Sequence, residues 1–142
     1  MKLYMIQLIS AAVIGILIGK VSNKSPTART FALICTGAAL ITIVSIEYFK
    51  VVSFPWLSDP GRLTAQVVSA LGFIGTGLIW ISEENKAQEL SIAASLWVTA
   101  ILGVFIGAGL YKITAAAIVI LLIIFWSCNH IIKYKNKSRS LK

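Results

Sequence analysis

The stretch Ile92–Ile132 decides the fold, and it reads IAASLWVTAILGVFIGAGLYKITAAAIVILLIIFWSCNHII. Among its 41 residues, Lys112 is the only Asp, Glu, Lys or Arg. About 20 helical residues cross the ~30 Å hydrocarbon core of a bilayer, so the stretch is long enough for two crossings but far too long for one. We therefore predict two transmembrane helices, Ile92–Tyr111 and Ile113–Ile132, joined by a tight turn at Tyr111–Lys112.

Three further runs without Asp, Glu, Lys or Arg precede this stretch. A spanning segment in lipid must satisfy its own backbone hydrogen bonds, which favours helices for all of them. The first run exceeds the apolar core of a signal peptide, and no small-residue cleavage pattern follows it, so we expect a retained span. The prediction is an all-α polytopic membrane domain over residues 1–132, followed by a basic tail over residues 133–142. The three runs are Leu3–Gly19, Thr30–Ile46 and Leu63–Ile81, which makes five transmembrane helices.

The composition agrees with a membrane domain. Of the 142 residues, 58% are hydrophobic and 13% are charged, and the mean hydropathy is +0.88. A soluble domain carries about 25% charged residues, and a short soluble chain cannot bury this much apolar surface. These values exclude a disordered chain, a disulfide-rich secreted module and a typical soluble enzyme.

The distribution of the cations predicts the orientation. If the five spans alternate, nine Lys and Arg residues fall on one side and four on the other. The side with more cations is expected to be cytoplasmic, so the N-terminus lies outside and the C-terminus inside. The tail has five cations and no anion, and we interpret it as a topology anchor or, alternatively, as a lipid or protein contact. A nucleic-acid partner is excluded, because no soluble unit presents the basic residues.

Residues with catalytic or metal-binding chemistry are scattered along the chain. His130 is the only histidine, and Cys35 and Cys128 belong to different spans. We predict that the protein is not an enzyme and that it holds no cofactor and no metal ion. The five acidic residues fall in two predicted loops, Glu47 and Asp59 outside and Glu83, Glu84 and Glu89 inside.

Polar residues line one face at the start of the third span. Arg62, Gln66 and Ser69 follow each other at helical spacing, after the helix-capping pair Asp59-Pro60. In one interpretation Asp59 caps the helix and Arg62 extends to the headgroups. In the other, Asp59 and Arg62 pair inside the protein with Gln66 below them, because polar groups at this depth are costly unless they face protein or water. Similar capping residues, Ser25-Pro26 and Ser91, precede the second and fourth spans.

Small residues form a second pattern within the spans. Two pairs have GxxxG spacing, and three further glycines lie within the third span. Such residues allow close approach of transmembrane helices, so we predict packing faces, which are also candidates for a homodimer face. The residues are Gly15 and Gly19, Gly103 and Gly107, and Gly72, Gly75 and Gly77.

Three pairs of motifs follow one another along the chain: ART (28–30) and CTGAAL (35–40), DPGRLTAQVVS (59–69) and GFIGTG (72–77), and AASLWVTA (93–100) and GAGLY (107–111). In these motifs the sequence resembles the MgtC/SapB family of bacterial inner-membrane proteins. The resemblance implies a five-span domain in the inner membrane with a cytoplasmic C-terminus. It also implies a link to growth in low magnesium, to virulence in pathogens, and to modulation of other membrane machinery such as the rotary ATP synthase.

The resemblance also nominates site residues, without a catalytic role for any of them. Three features depart from the family pattern. The Gly-x-Glu-Arg-Glu motif after the first span is replaced by a basic loop, and before the fourth motif Glu89 replaces a glycine and Ile92 a threonine. By the same comparison we expect a short form without the soluble C-terminal domain of longer members. The nominated residues are Arg29, Thr30, Asp59, Arg62, Gln66, Ser95 and Trp97.

Three functional hypotheses follow. The first is a regulator or partner of other membrane complexes, connected with magnesium limitation or stress adaptation. The second is a small ion transporter or channel that uses Asp59, Arg62 and Gln66 as an outer vestibule. The third is a structural scaffold assembled through the GxxxG faces.

Overall fold

The computed structural model describes residues 1–22, 28–51, 59, 61–80 and 88–139, of which residues 78–80, 88–89 and 128–139 are described by their helical backbone alone. All regular secondary structure in the described part of the chain is helical. Its elements are α1 (Lys2–Ser22), α2 (Ala28–Val51), α3 (Gly61–Trp80), α4 (Gln88–Gly107) and α5 (Tyr111–Arg139).

The apolar runs of the sequence coincide with these helices. Three of the helices are long and apolar enough to cross a membrane, namely α1, α2 and the part of α4 from Leu90 to Gly107. The described side chains of α5, Tyr111–Ser127, form a shorter apolar helix. The third helix is not in either group: its side chains are described to residue 77, and Arg62 and Gln66 lower its hydropathy.

The break after α4 lies three residues before the predicted turn at Tyr111–Lys112. The backbone N–H of Leu110 donates to the Phe105 carbonyl (2.9 Å), and that of Gly109 donates to the Ile106 carbonyl (3.0 Å). These two bonds form a Schellman motif, in which the residue after the helix adopts the left-handed conformation. Gly109 has φ = +73°, a conformation that costs glycine little. The helix therefore ends where this glycine lies rather than at the charged Lys112.

The chain divides into two compact units, and the first is a four-helix unit, Met1–Leu110. In this unit α2 packs against α1, α3 and α4, and α4 packs against α1 and α3. Its core is built from small and medium side chains. One cluster contains Ala11, Cys35, Ala39 and Ile106, and the other contains Ala38, Leu71 and Ala100.

The second unit, Tyr111–Lys142, contains α5. Its described side chains include seven large apolar residues that are about half or more exposed. A helix with apolar side chains on its exposed surface is suited to lipid contact. These residues are Ile113, Val119, Ile120, Leu122, Ile123, Ile124 and Trp126.

Close contacts at glycines determine how the helices of the first unit approach each other. A Cβ at Gly15 would lie 2.6 Å from Ala32 Cα, and one at Gly19 would lie 2.6 Å from Ala28 Cα. These contacts make α1 antiparallel to α2. Side chains at these positions would collide with backbone, so hydrogen is the only substituent that fits.

The second GxxxG pair brings α4 against α2 beside α1, at the cluster that contains Ala11, Cys35, Ala39 and Ile106. A Cβ at Gly107 would lie 2.5 Å from the Ala39 carbonyl oxygen, and one at Gly103 would overlap the Cys35 carbonyl oxygen. The contacts of α3 glycines are looser. A Cβ at Gly75 would meet Ala93 Cβ at 3.6 Å, whereas Gly72 and Gly77 have no neighbour within 4 Å.

Candidate functional site

The polar line of α3 lies on the face that points away from the four-helix unit. The packed face of α3 contains Leu71, which is 7% exposed, with Val67 beside it. Arg62, Gln66 and Ser69 are exposed and occupy the opposite face. The helical period places the polar residues together, as predicted, and the packing directs them outward.

Asp59 caps the start of α3. Its Oδ1 accepts a hydrogen bond from the Gly61 backbone N–H (2.7 Å), and its carbonyl oxygen accepts one from the Arg62 N–H (3.2 Å). This is the geometry of an N-cap, in which a side-chain oxygen satisfies an unpaired amide of the first turn. Within the described residues, Asp59 and Arg62 form no ion pair. The geometry therefore agrees with the capping interpretation.

Hydroxyl groups on α3 bond to their own helix. Ser69 Oγ donates to the Ala65 carbonyl (3.4 Å), and Thr76 Oγ1 donates to the Phe73 carbonyl (2.8 Å). In contrast, the described residues offer no hydrogen-bond or ionic partner to the side chains of Arg62 and Gln66.

The nominated residues divide between the two ends of the four-helix unit. Since α1 and α3 both run antiparallel to the pair α2 and α4, Asp59, Arg62 and Gln66 lie toward the end where α2 finishes. Arg29 is exposed and Thr30 half-buried at the other end, where α2 begins. The structure therefore does not gather the nominated residues into one site.

The remaining two nominated residues belong to α4. Ser95 Oγ donates to the Ser91 carbonyl (2.8 Å), and the Ser95 carbonyl accepts from the Thr99 hydroxyl (2.7 Å). The Trp97 side chain is 42% exposed. Ser91 is part of α4, which begins at Gln88 rather than after Ser91. The predicted cap Ser25-Pro26 and the loop acids Glu83 and Glu84 lie outside the described residues.

Gln7 is a buried polar residue that the sequence patterns did not single out. It is 4% exposed, and its Nε2 donates to the carbonyls of Ile106 (3.1 Å) and Gly107 (3.3 Å). The last carbonyls of a helix lack partners within the helix, so the Gln7 amide caps the C-terminal end of α4. Its Oε1 is buried without a partner among the described residues. The available signal was that Gln7 is the only amide side chain in the run Leu3–Gly19.

We predict that Gln7→Leu weakens the attachment of α1 to α4. The substitution leaves the Gly107 carbonyl without its side-chain donor, at a cost of about 1–3 kcal/mol for a buried group. Thermal unfolding in mild detergent measures the loss. Ser10→Ala is the matched control, because its hydroxyl bonds within α1 to the Gln7 carbonyl (2.8 Å) and its change should be much smaller. Equal stability of Gln7→Leu and the parent chain would contradict the role assigned to Gln7.

A second polar cluster joins the start of α1 to the end of α2. Lys50 Nζ and Glu47 Oε1 are 2.6 Å apart, and the Tyr4 side chain of α1 lies near the Glu47 carboxylate. The pair is exposed and three residues apart on one helix, so its contribution to stability is small. Glu47 lies on the same side as Asp59, as the alternating topology predicts.

Buried polar side chains of the four-helix unit mainly donate hydrogen bonds to backbone carbonyls. Thr42 Oγ1 donates to the Ala38 carbonyl (2.8 Å), and Thr99 and Gln7 also donate to carbonyls. The described residues contain no group of three or more His, Cys, Asp or Glu side chains that could hold a metal ion. Cys35 is buried in the core, whereas the side chains of Cys128 and His130 lie outside the described set.

These features define a class of protein: a small all-helical chain with long apolar helices, packed through glycines in the manner of membrane proteins. The chain belongs to the MgtC family, whose model matches residues 8–134. No solved structure matches the chain significantly.

Relatives from three bacteria illustrate the match. Protein MgtC of Salmonella typhimurium is 37% identical over 122 residues, covering 84% of this chain and 49% of the relative. The "Putative magnesium transporter YhiD" of Escherichia coli K12 is 41% identical over 115 residues, covering 78% and 53%. Protein SapB of Bacillus subtilis is 34% identical over 123 residues, covering 80% and 51%. The chain thus spans about half the length of these relatives.

Proposed function

We propose that the protein is a regulator or partner of other membrane complexes in the bacterial inner membrane, connected with magnesium limitation or stress adaptation. The observation that carries this proposal is the direction of the α3 polar line. Arg62 and Gln66 face away from the packed unit and have no partner in its described part. Polar groups in this position suit contact with another protein, because contact with lipid is costly.

The packing of the unit's core supports the same proposal. The core around Cys35, Ala39 and Gly103 brings helix backbones into direct contact. A conducting path needs polar groups that are free to bind an ion, whereas the buried hydroxyl of Thr42 is bonded to backbone. A path through the middle of this unit would require the helices to separate. In this proposal the protein acts without catalysis.

The proposal includes five transmembrane helices, with the N-terminus outside and the C-terminus in the cytoplasm. The three long apolar helices and the asymmetric cations support it. We expect a green fluorescent protein fused after Lys142 to fluoresce. We also expect a cysteine placed before Met1 to react in intact cells with a membrane-impermeant maleimide. A fluorescent C-terminal fusion combined with an unreactive N-terminal cysteine would contradict an odd number of spans.

Crosslinking in native membranes tests the partner role. Cells grown in low magnesium would carry a photoreactive amino acid at Gln66, with the same group at the exposed Ile9 of α1 as control. We expect the Gln66 probe to capture a defined membrane protein, and the rotary ATP synthase is the candidate that the family resemblance supplies. Identical products from the two positions would contradict a specific contact on this face.

A second candidate function is a small ion transporter. The name of the Escherichia coli relative favours it, and Asp59, Arg62 and Gln66 would then line an outer vestibule between copies of the chain. Under this hypothesis Asp59→Asn, which removes the charge and keeps a capping oxygen, reduces ion flux. Unchanged flux in that variant would count against it.

A further inference from the structure

The exposed face of α3 has a shape that fits a copy of itself. Four small, exposed residues recur along this face at steps of four, three and four: Ala65, Ser69, Gly72 and Thr76. At the third of them, Gly72, nothing lies within 4 Å of the position that a Cβ would occupy, so the helix surface is open there. Beside this groove stands Phe73, which is 83% exposed. The groove is formed by Ala65, Ser69, Gly72 and Thr76.

The charges of the same face are complementary to themselves. Asp59 and Arg62 lie three residues apart at the start of α3 and form no ion pair with each other. The face therefore carries one charge of each sign, and two copies of it bring together equal numbers of anions and cations. When two such faces meet in parallel, Arg62 of one copy can pair with Asp59 of the other.

The exposed amide adds a third self-complementary group. Gln66 carries both a donor and an acceptor, and it lies one turn below Arg62. Two such amides can bond to each other across a two-fold axis. The glycines with GxxxG spacing do not compete for this contact, because α2 occupies Gly15, Gly19, Gly103 and Gly107 within the chain.

We propose that this α3 face binds the same face of a second copy of the chain. The two α3 helices run parallel about a two-fold axis along the membrane normal, with Phe73 of each copy beside the groove of the other. Interdigitation of a ridge with a groove lined by small residues is the usual basis of close helix association in membranes. This dimer uses the same α3 face as the proposed partner contact, so the two proposals predict different crosslinking products: a second copy of the chain for the dimer, and another membrane protein for the partner contact.

Disulfide crosslinking in native membranes tests the dimer. In a chain with Cys35 and Cys128 replaced by alanine, Ser69→Cys lies in the groove. Ile74→Cys is the matched control, because Ile74 is 45% exposed at similar depth on the far side of α3. We expect oxidation to give a covalent dimer with Ser69→Cys, and at least about tenfold less with Ile74→Cys. Equal yields, or a crosslink from Ser69→Cys to a different protein instead, would overturn the proposal.

Two further variants test shape and charge separately. Gly72→Leu fills the groove, and Gly37→Leu is its control, since both glycines are helical and have open space around them. We expect Gly72→Leu to reduce the Ser69→Cys crosslink about tenfold and Gly37→Leu to leave it unchanged. Arg62→Glu should reduce the yield of the Ser69→Cys crosslink more than Arg62→Gln does, because the new carboxylate would face Asp59 of the other copy. A crosslink insensitive to Gly72→Leu and Arg62→Glu would contradict the assignment.

Discussion

Gly103→Leu is expected to prevent α4 from packing on α2. Even a single added carbon at Gly103 would overlap the Cys35 carbonyl and lie 3.1 Å from Ala38 Cβ. The obstruction is helix backbone, which cannot rotate away as a side chain does. Overpacking in a core costs about 1–3 kcal/mol and occasionally more, and we expect a loss at or above the upper end here. Thermal unfolding in detergent, together with the amount of folded protein in membranes, measures this loss.

Gly37→Leu provides the control for this experiment. Gly37 lies in α2 with nothing within 4 Å of an added carbon, so leucine there should change stability by a small amount. Both variants carry the same glycine-to-leucine exchange within a helix. If Gly103→Leu were as stable as Gly37→Leu, the described contact between α2 and α4 would be incorrect.

Gly15→Leu is expected to separate α1 from α2 to a similar extent. An added carbon at Gly15 would lie 2.6 Å from Ala32 Cα and 2.7 Å from the Phe31 carbonyl oxygen. Because Phe31 is fully buried, the backbone there has no free space into which to retreat. The cost is again about 3 kcal/mol or more.

Limited proteolysis measures separation of α1, because a detached helix is cleaved more readily than a packed one. We expect faster cleavage of Gly15→Leu than of Val13→Leu, a change at a nearby exposed position of α1 that should have little effect. Equal cleavage rates for the two variants would contradict the antiparallel pairing of α1 and α2.

Much of the helix arrangement was predictable from the sequence, because charge excludes a segment from the bilayer core and the uncharged runs are long. The helix ends were less predictable. Hydropathy located the break after α4 at Lys112, whereas the chain leaves the helix near Gly109, where a left-handed backbone is inexpensive. Hydropathy measures solvation and contains no information on φ.

The candidate site was also predictable only in part from the sequence. Spacing alone placed Arg62, Gln66 and Ser69 on one face of α3. The direction of that face was not predictable, because the opposite face, with Val67 and Leu71, is also compatible with lipid. Tertiary packing decides between the two.

Gln7 could not be placed from sequence for a different reason. Its partners, Ile106 and Gly107, lie about 100 residues away at the end of another helix. An amide in an apolar run signals that a polar partner is needed, because an unsatisfied group in lipid is costly. It does not say which helix end supplies that partner.

Magnesium flux into liposomes distinguishes a protein that acts on other membrane complexes from one that carries an ion itself. Purified chain would be reconstituted in both orientations into liposomes loaded with a fluorescent magnesium indicator, and an ionophore added last would give the full signal. If the protein acts on other complexes, magnesium uptake equals that of protein-free liposomes over a range of external magnesium. A saturable uptake that increases with the amount of protein, and that Asp59→Asn reduces, would contradict it.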